Sequence, residues 1–316
     1  MKVITVTMNP ALDYTMHVDS WERGVVNRSD RMDFACGGKG LKVAVNLNIA
    51  GIEASATGYL GALNDQRFVE LFKEKHVQDD FIRVPQKETR RNIKIVDKDG
   101  ETTDVNLVGM EISDQQLQQL IDLIDKQIDQ AEVLMFGGSL PPNVAKDFYG
   151  QMMKRYKPKN KFLVVDTSGA ALTEMARAEV LPDFIKPNIH ELREMTGKAL
   201  NSDADIIAEA RKFIDRGMRL VVISMGEDGA WFVTKDEALH ASPPRVKIAS
   251  TVGAGDAMVA GVIRGVLLGR GLEDIAKTAT AFGASNVENK SSFISTRERI
   301  DVLRERVVIV REGEER

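Results

Sequence analysis

Ser113-Asp114-Gln115-Gln116-Leu117-Gln118-Gln119-Leu120-Ile121-Asp122-Leu123-Ile124-Asp125-Lys126-Gln127-Ile128-Asp129-Gln130, followed after two residues by Val133-Leu134-Met135-Phe136, carries the pattern on which the fold turns. Leu117, Leu120, Ile121, Ile124 and Ile128 recur at helical spacing behind a Ser113…Gln116 capping box, which predicts an amphipathic helix over 113–130. The second stretch is a short unbroken apolar run, as a strand buried on both faces requires. Runs of the same kind return at Val3–Met8, Phe162–Val165, Phe184–Ile185 and Leu220–Ile223, with helical patterns between them. That alternation predicts an α/β fold built on a doubly wound, mostly parallel sheet. Residues 12–35 and 90–108 break the rhythm. They contain half-polar alternations, Thr15-Met16-His17-Val18-Asp19 and Asn92-Ile93-Lys94-Ile95-Val96, the latter followed by a Lys98-Asp99-Gly100 turn. They predict antiparallel strands forming a small lid sheet inserted into a single domain spanning 1–316.

Composition narrows the class. The chain has 316 residues, 43% hydrophobic and 28% charged, enough apolar material to bury a large core without disulfides. Cys36 is the only cysteine, which excludes an internal disulfide or a multi-cysteine metal site and fits a reducing compartment. Met1–Met8 meets Asn9-Pro10 too early for a secretory h-region and falls far short of a membrane span, so a cytoplasmic protein with no membrane partner is expected. Net charge is −4 with both signs well mixed, and no basic stripe offers itself to nucleic acid. Any anionic ligand must be met by a local site. The charged end, Arg311–Arg316, is expected to be solvated.

Two glycine clusters mark such sites. Thr251-Val252-Gly253-Ala254-Gly255-Asp256 leads into Ala257-Met258-Val259-Ala260-Gly261-Val262-Ile263, a stretch apolar nearly all round. A small-residue loop entering a buried helix aims unpaired N–H groups and the positive dipole end at one spot, where a phosphate fits. Asp256 as a plain helix cap is the alternative, although a cap has no need of two glycines. The Gly-Lys-Ser/Thr ending of a Walker loop is missing. Cys36-Gly37-Gly38-Lys39-Gly40 opens a second helix, containing Val43, Val45, Leu47 and Ile49, and reads either as a ligand loop or as a tight turn. Cys36 itself reads as a packed residue. Neither Gly58-Tyr59-Leu60-Gly61 nor 253–256 completes a dinucleotide-binding Gly-x-Gly-x-x-Gly, which argues against a dehydrogenase.

Gly37-Gly38-Lys39-Gly40 early and Thr251–Asp256 late are similar to the two signatures of the ribokinase-like (PfkB) sugar kinases, in order and separation. Further pieces lie between them: Asn9-Pro10-Ala11-Leu12-Asp13, Thr89-Arg90-Arg91-Asn92, Gly138-Ser139-Leu140-Pro141-Pro142, Asp166-Thr167-Ser168-Gly169, Lys186-Pro187-Asn188-Ile189-His190-Glu191 and Ser224-Met225-Gly226-Glu227-Asp228-Gly229-Ala230. The resemblance spans nearly the whole chain. It implies a ribokinase-like fold with a small antiparallel β lid and an ATP- and Mg2+-dependent transfer. Asp256 would take the proton from the sugar hydroxyl while the amides at Gly253, Ala254 and Gly255 stabilise the developing charge. Asn188 and Glu191 would match an Asn-x-x-Glu motif that organises Mg2+ through water and phosphates. Read by themselves, these two residues are equally a helix cap and its capping box. Lys186, Ser224, Gly226, Gly229 and Thr251 would serve the nucleotide, with the adenine pocket there and along 280–288.

On the acceptor side the resemblance implies that Asp13 holds sugar hydroxyls and that Gly37, Gly38 and Lys39 form the substrate loop. Arg28, Arg90, Asn92 and Ser139 fall where phosphosugar kinases bind the phosphate already present, a task suited to the planar arginine fork. Solvated roles for Arg28 and Arg91 are the alternative. One departure stands out: where the family has Gly-Gly-Lys-Gly-x-Asn, this chain has Lys42, which either adds a contact to a phosphorylated substrate or points to solvent. The Met8–Asp13 opening and the Thr-Arg-x-Asn segment resemble 1-phosphofructokinases and tagatose-6-phosphate kinases. Lys98–Gly109 favours the former and Asp166–Leu172 resembles the latter. The implied reaction is fructose 1-phosphate to fructose 1,6-bisphosphate, with tagatose 6-phosphate as the alternative acceptor. A catalytically silent sugar-phosphate binder, supported only by Lys42, is the alternative of another class. A homodimer through the lid is the expected assembly.

Overall fold

The computed structural model describes residues 2–29 and 31–314. In chain order the elements are β1 (Val3–Thr7), β2 (Ala11–His17), β3 (Arg31–Gly37), α1 (Lys39–Ile49), β4 (Ala54–Gly61), α2 (Gln66–Glu74), β5 (Gln78–Val84), β6 (Arg90–Val96) and β7 (Thr102–Asn106). There follow α3 (Asp114–Gln127), β8 (Val133–Gly137), α4 (Phe148–Tyr156), β9 (Phe162–Asp166), α5 (Gly169–Arg177), β10 (Phe184–Ile185), α6 (Ile189–Thr196) and α7 (Asp203–Asp215). The chain closes with β11 (Leu220–Ser224), β12 (Ala230–Val233), β13 (Ala238–Ser242), α8 (Ala254–Leu267), α9 (Leu272–Val287), α10 (Arg297–Arg304) and β14 (Val308–Arg311). Every apolar run read from the sequence is a strand, and Ser113 caps α3 through the expected box with Gln116.

Ten strands form the main sheet in the order β14-β13-β12-β11-β10-β9-β8-β1-β4-β5. From β5 to β11 they run parallel, and β12–β14 add an antiparallel edge. β1 sits between β4 and β8, and all five of its residues are buried. Its side chains alternate between two cores: Val3 joins Met135 and Val164 on one face, while Ile4 and Val6 join Leu134 and Phe136 on the other. Leu41, Phe68, Val259, Phe282 and Leu303 bring α1, α2, α8, α9 and α10 to the first core. Leu120, Tyr149, Leu172, Leu192 and Ile207 bring α3–α7 to the second. The sheet is therefore doubly wound, as expected.

The small sheet has the order β3-β2-β6-β7. Its outer pairs are antiparallel, and β2 and β6 pair in parallel, with Asp13 opposite Asn92. The parallel pair has a simple cause: Met8–Pro10 carries β1 straight into β2, residues 85–89 carry β5 into β6, and β1 and β5 belong to the parallel set. Residues 311–314 are exposed, as expected of a solvated tail, although Arg311 also ends β14 and pairs with Glu237 and Glu273. Glu315 and Arg316, the last two residues of that tail, lie outside the described residues. Among the described residues, no helix is long and apolar enough to cross a membrane.

Candidate active site

The late glycine loop begins its helix earlier than its apolar run suggests. Gly253 is the N-cap of α8 in the left-handed region, φ 89°, and a β-carbon on it would stand 2.8 Å from the Ser292 carbonyl oxygen, so only glycine fits. Ala254, Gly255 and Asp256 thus make up the first turn, whose amides have no acceptor within a helix. Asp256 is buried but makes no capping bond, so the plain-cap reading falls away. Its carboxylate is turned to the start of α1, with Oδ1 3.6 Å from Lys39 Nζ.

Lys39 opens α1 directly after its N-cap Gly38. Its ammonium reaches Asp166 Oδ2 at 3.2 Å as well as Asp256. Burial works against that charge, but Asp166 and Asp256 outweigh it and hold the ammonium above the usual lysine range. Lys186 is also buried, and a β-carbon on Gly255 would stand 3.0 Å from its Nζ. Two cations, two carboxylates and the positive end of α8 therefore converge at one point.

On the donor side, Asn188 caps α6 and Glu191 closes the box: Glu191 N–H donates to Asn188 Oδ1 and Asn188 N–H to Glu191 Oε2, both at 2.8 Å. The local capping reading is realised, and it leaves Glu191 Oε1 and Asn188 Nδ2 for a ligand. Asn188 bridges to Ser224, and both line a cavity of about 550 Å³ with Gly226, Arg193, Asn201 and Asp228. Gly229 does not line it. A β-carbon there would stand 2.1 Å from the Ala241 carbonyl oxygen, so this glycine allows the β12–β13 hairpin to close. Thr251 is exposed, and its carbonyl accepts the Ala254 N–H at 3.4 Å. Within 280–288, Asn286 is fully buried beside Gly253. Among the described residues no group of three or more His, Cys, Asp and Glu could hold a metal ion directly. A hard, oxygen-seeking cation that keeps its waters is compatible with a single free carboxylate oxygen and a ligand's phosphates.

On the acceptor side, Asn92 donates to Asp13 Oδ1 at 2.9 Å, and Gly37 packs against the same carboxylate. Arg90 donates to the Leu107, Asn9 and Pro10 carbonyls and, at 3.3 Å, to Ser139 Oγ, which leaves one of its five N–H groups for a ligand. Asn9 Nδ2 joins this group through Ser139 Oγ and the Val108 and Leu140 carbonyls. Arg28 is exposed on the β2–β3 loop and is not tied to the others, and Arg91 pairs with Glu88 at the surface. Lys42 is 5% exposed, so most of its stem is packed away, and no hydrogen bond or ion pair to a described residue holds its ammonium. Burial pushes the Cys36 thiol up to about 12, as suits a packed residue. Sequence reasoning assigned no role to Asn9 and Asp166. Both follow from one available signal, their position just beyond or at the C-terminal ends of parallel strands, β1 and β9, where α/β sheets gather their ligands.

A model of the pfkB family of carbohydrate kinases matches residues 6–299. The 1-phosphofructokinase of Xanthomonas campestris is 40% identical over 293 residues, 92% of this chain and 92% of that protein. The 1-phosphofructokinase of Escherichia coli K12 is 34% identical over 306 residues, 97% of each chain. The crystal structure of phosphofructokinase-2 from Escherichia coli in complex with substrates and products superposes with a TM-score of 0.88 at 25% identity, covering 96% of this chain and 99% of that one.

Proposed function

The chain belongs to the pfkB family of carbohydrate kinases, and from that premise we propose that it transfers the γ-phosphoryl group of ATP to the 6-hydroxyl of fructose 1-phosphate, giving fructose 1,6-bisphosphate. It is a sugar kinase, a phosphotransferase with an alcohol acceptor. The observation that carries the chemistry is the placing of Asp256: in the first turn of α8, not capping it, beside first-turn amides that have no acceptor within the helix and beside two lysines. The likeness to 1-phosphofructokinases along the whole chain supports fructose 1-phosphate over tagatose 6-phosphate. The intact base argues against a silent binder.

In this reading Asp256 accepts the proton of the attacking hydroxyl as the new O–P bond forms and the bond to the β-phosphate oxygen breaks, releasing ADP. The amides at Gly253, Ala254 and Gly255, with Lys39 and Lys186, meet the charge on the transferring group. Mg2+ neutralises charge on the ATP phosphates when bound, with Glu191 and Asn188 holding its waters. Ser224, Gly226 and Thr251 flank the nucleotide. Asp13 holds sugar hydroxyls over Gly37 and Gly38, and Asn92, expected at the existing phosphate, joins it there because it donates to the Asp13 carboxylate. Arg90 and Ser139 take the existing phosphate, and Lys42 supplies a second charge there. Arg28 can contribute only if the loop that carries it swings inward. Residues 1–316 act as one cytoplasmic kinase domain with the lid strands inserted in it.

The test is a coupled ADP-release assay with Mg-ATP against fructose 1-phosphate, tagatose 6-phosphate, fructose 6-phosphate, fructose and ribose. The highest kcat/KM is expected for fructose 1-phosphate. A clear preference for tagatose 6-phosphate overturns the acceptor, and binding without turnover of any sugar overturns the reaction.

The lid supports a second proposal, that two copies pair through it. One of its faces carries the polar Asp13 and Asn92, and the other carries Tyr14, Phe34, Met32, Ile93 and Val105. Met32 and Val105 are 55% and 52% exposed, and an apolar sheet face of this kind is best covered by its own copy.

A further inference from the structure

Asp166 ends β9, is 2% exposed, and has no part in the transfer as described so far. Its position is fixed from two sides. It lies opposite Gly137 in the sheet, and its carbonyl accepts the Gly138 N–H at 2.9 Å. The Lys39 stem presses on the same strand end, since a β-carbon on Gly137 would stand 3.1 Å from Lys39 Cβ. Asp166 is thus held in the main sheet, and Lys39, at the start of α1, rests its stem against the end of β8 beside it.

We propose that Asp166 is a positioning residue for phosphoryl transfer: it holds the Lys39 ammonium within reach of the transferring group while keeping it from closing onto Asp256. The inference rests on the reading of Asp256 as the base. A lysine with Asp256 as its sole partner would settle at charge-assisted hydrogen-bond length, about 2.7–2.9 Å, and cover an oxygen that must receive the hydroxyl proton. Shared with Asp166, the ammonium lies 3.2 Å from that carboxylate and 3.6 Å from the base, so Oδ1 stays open to the acceptor. The other charged groups facing this point are Lys186 beside Gly255 and Glu191 on α6.

The test is Asp166→Asn, which keeps the shape and removes the charge. kcat is expected to fall about ten- to a hundredfold, with KM for phosphosugar and ATP within about twofold of wild type. Asp166→Glu, which restores the carboxylate, is expected to recover part of the loss. In a Lys39→Met background, Asp166→Asn is expected to cost nothing further, because the group it positions is gone. Wild-type kcat in Asp166→Asn, or losses that simply add to those of Lys39→Met, would overturn the proposal. If Asp166→Asn fails to fold, the double variant, which removes both buried charges, still decides: a kcat below that of Lys39→Met alone refutes it. Asp256→Asn separates the two layers. If that variant turns over normally, the base assignment itself is wrong; if it is inactive while Asp166→Asn is normal, only the positioning role falls.

Discussion

Asp256, buried in the first turn of α8 and free of any capping bond, is the residue on which the proposed reaction rests most directly. Replacing it by Asn is expected to preserve folding and ATP binding and to lower kcat by about 10²–10⁴-fold, the usual worth of a placed general base; near-normal turnover in the ADP-release assay would refute the role. Arg90 is different, because four of its five N–H groups already brace the lid junction. Arg90→Ala is expected to raise KM for the phosphosugar well above its effect on KM for ATP, and an unchanged phosphosugar KM removes it from the phosphate site. Cys36 should be inert. With its thiol pushed from 9.0 up to about 12, its thiolate population near pH 8 is about a thousandfold below that of an ordinary thiol, and alkylation of the native protein should be slower in proportion; rapid native labelling would contradict its burial. The residues of the site were legible where a motif fixes type and spacing locally, as in Gly253–Asp256 or Asn188…Glu191. They were not legible where the role comes from across the sheet. Asp166 meets Lys39 over a separation of 127 residues, and the burial of Lys42 is decided by what packs around α1.

Elements follow the same division. The long apolar runs announced their strands because a strand covered on both faces has no use for polar residues. β4, Ala54–Gly61, was missed although all eight of its residues are buried, because apart from Tyr59 and Leu60 it is built from Ala, Ser, Thr and Gly that let it lie close against β1, a composition that reads as loop. The start of α8 was misjudged by one turn because a left-handed glycine, not a side-chain cap, begins it. Where a cap is written in the sequence it can be tested simply: Ser113→Ala removes the bond that Ser113 Oγ accepts from the Gln116 N–H at an exposed helix end and is expected to cost about 1 kcal/mol in chemical denaturation, with activity unchanged. No measurable loss would mean that the end of α3 is held by its packing alone.

At the scale of the molecule, the proposed reaction divides the labour between the two sheets: the large one would fix the transfer machinery, and the small one, where Asn92 donates to Asp13, would present these residues to the acceptor. If two copies pair through the small sheet, Met32→Glu with Val105→Lys should shift the sedimenting mass from dimer to monomer, and a mass indifferent to both charges would dismiss that assembly. The placing of β1 between β4 and β8 has a further consequence, for synthesis. Val3 pairs with Ala54 on one side and with Val133 on the other, so the strand leaves the ribosome about 130 residues ahead of its second partner. At about 5–20 residues per second that is a wait of roughly 7–26 s. For that interval a β-branched segment, Val-Ile-Thr-Val-Thr, has one edge without its partner, and nascent chains stopped short of β8 should be the ones that chaperones hold and that clump without them.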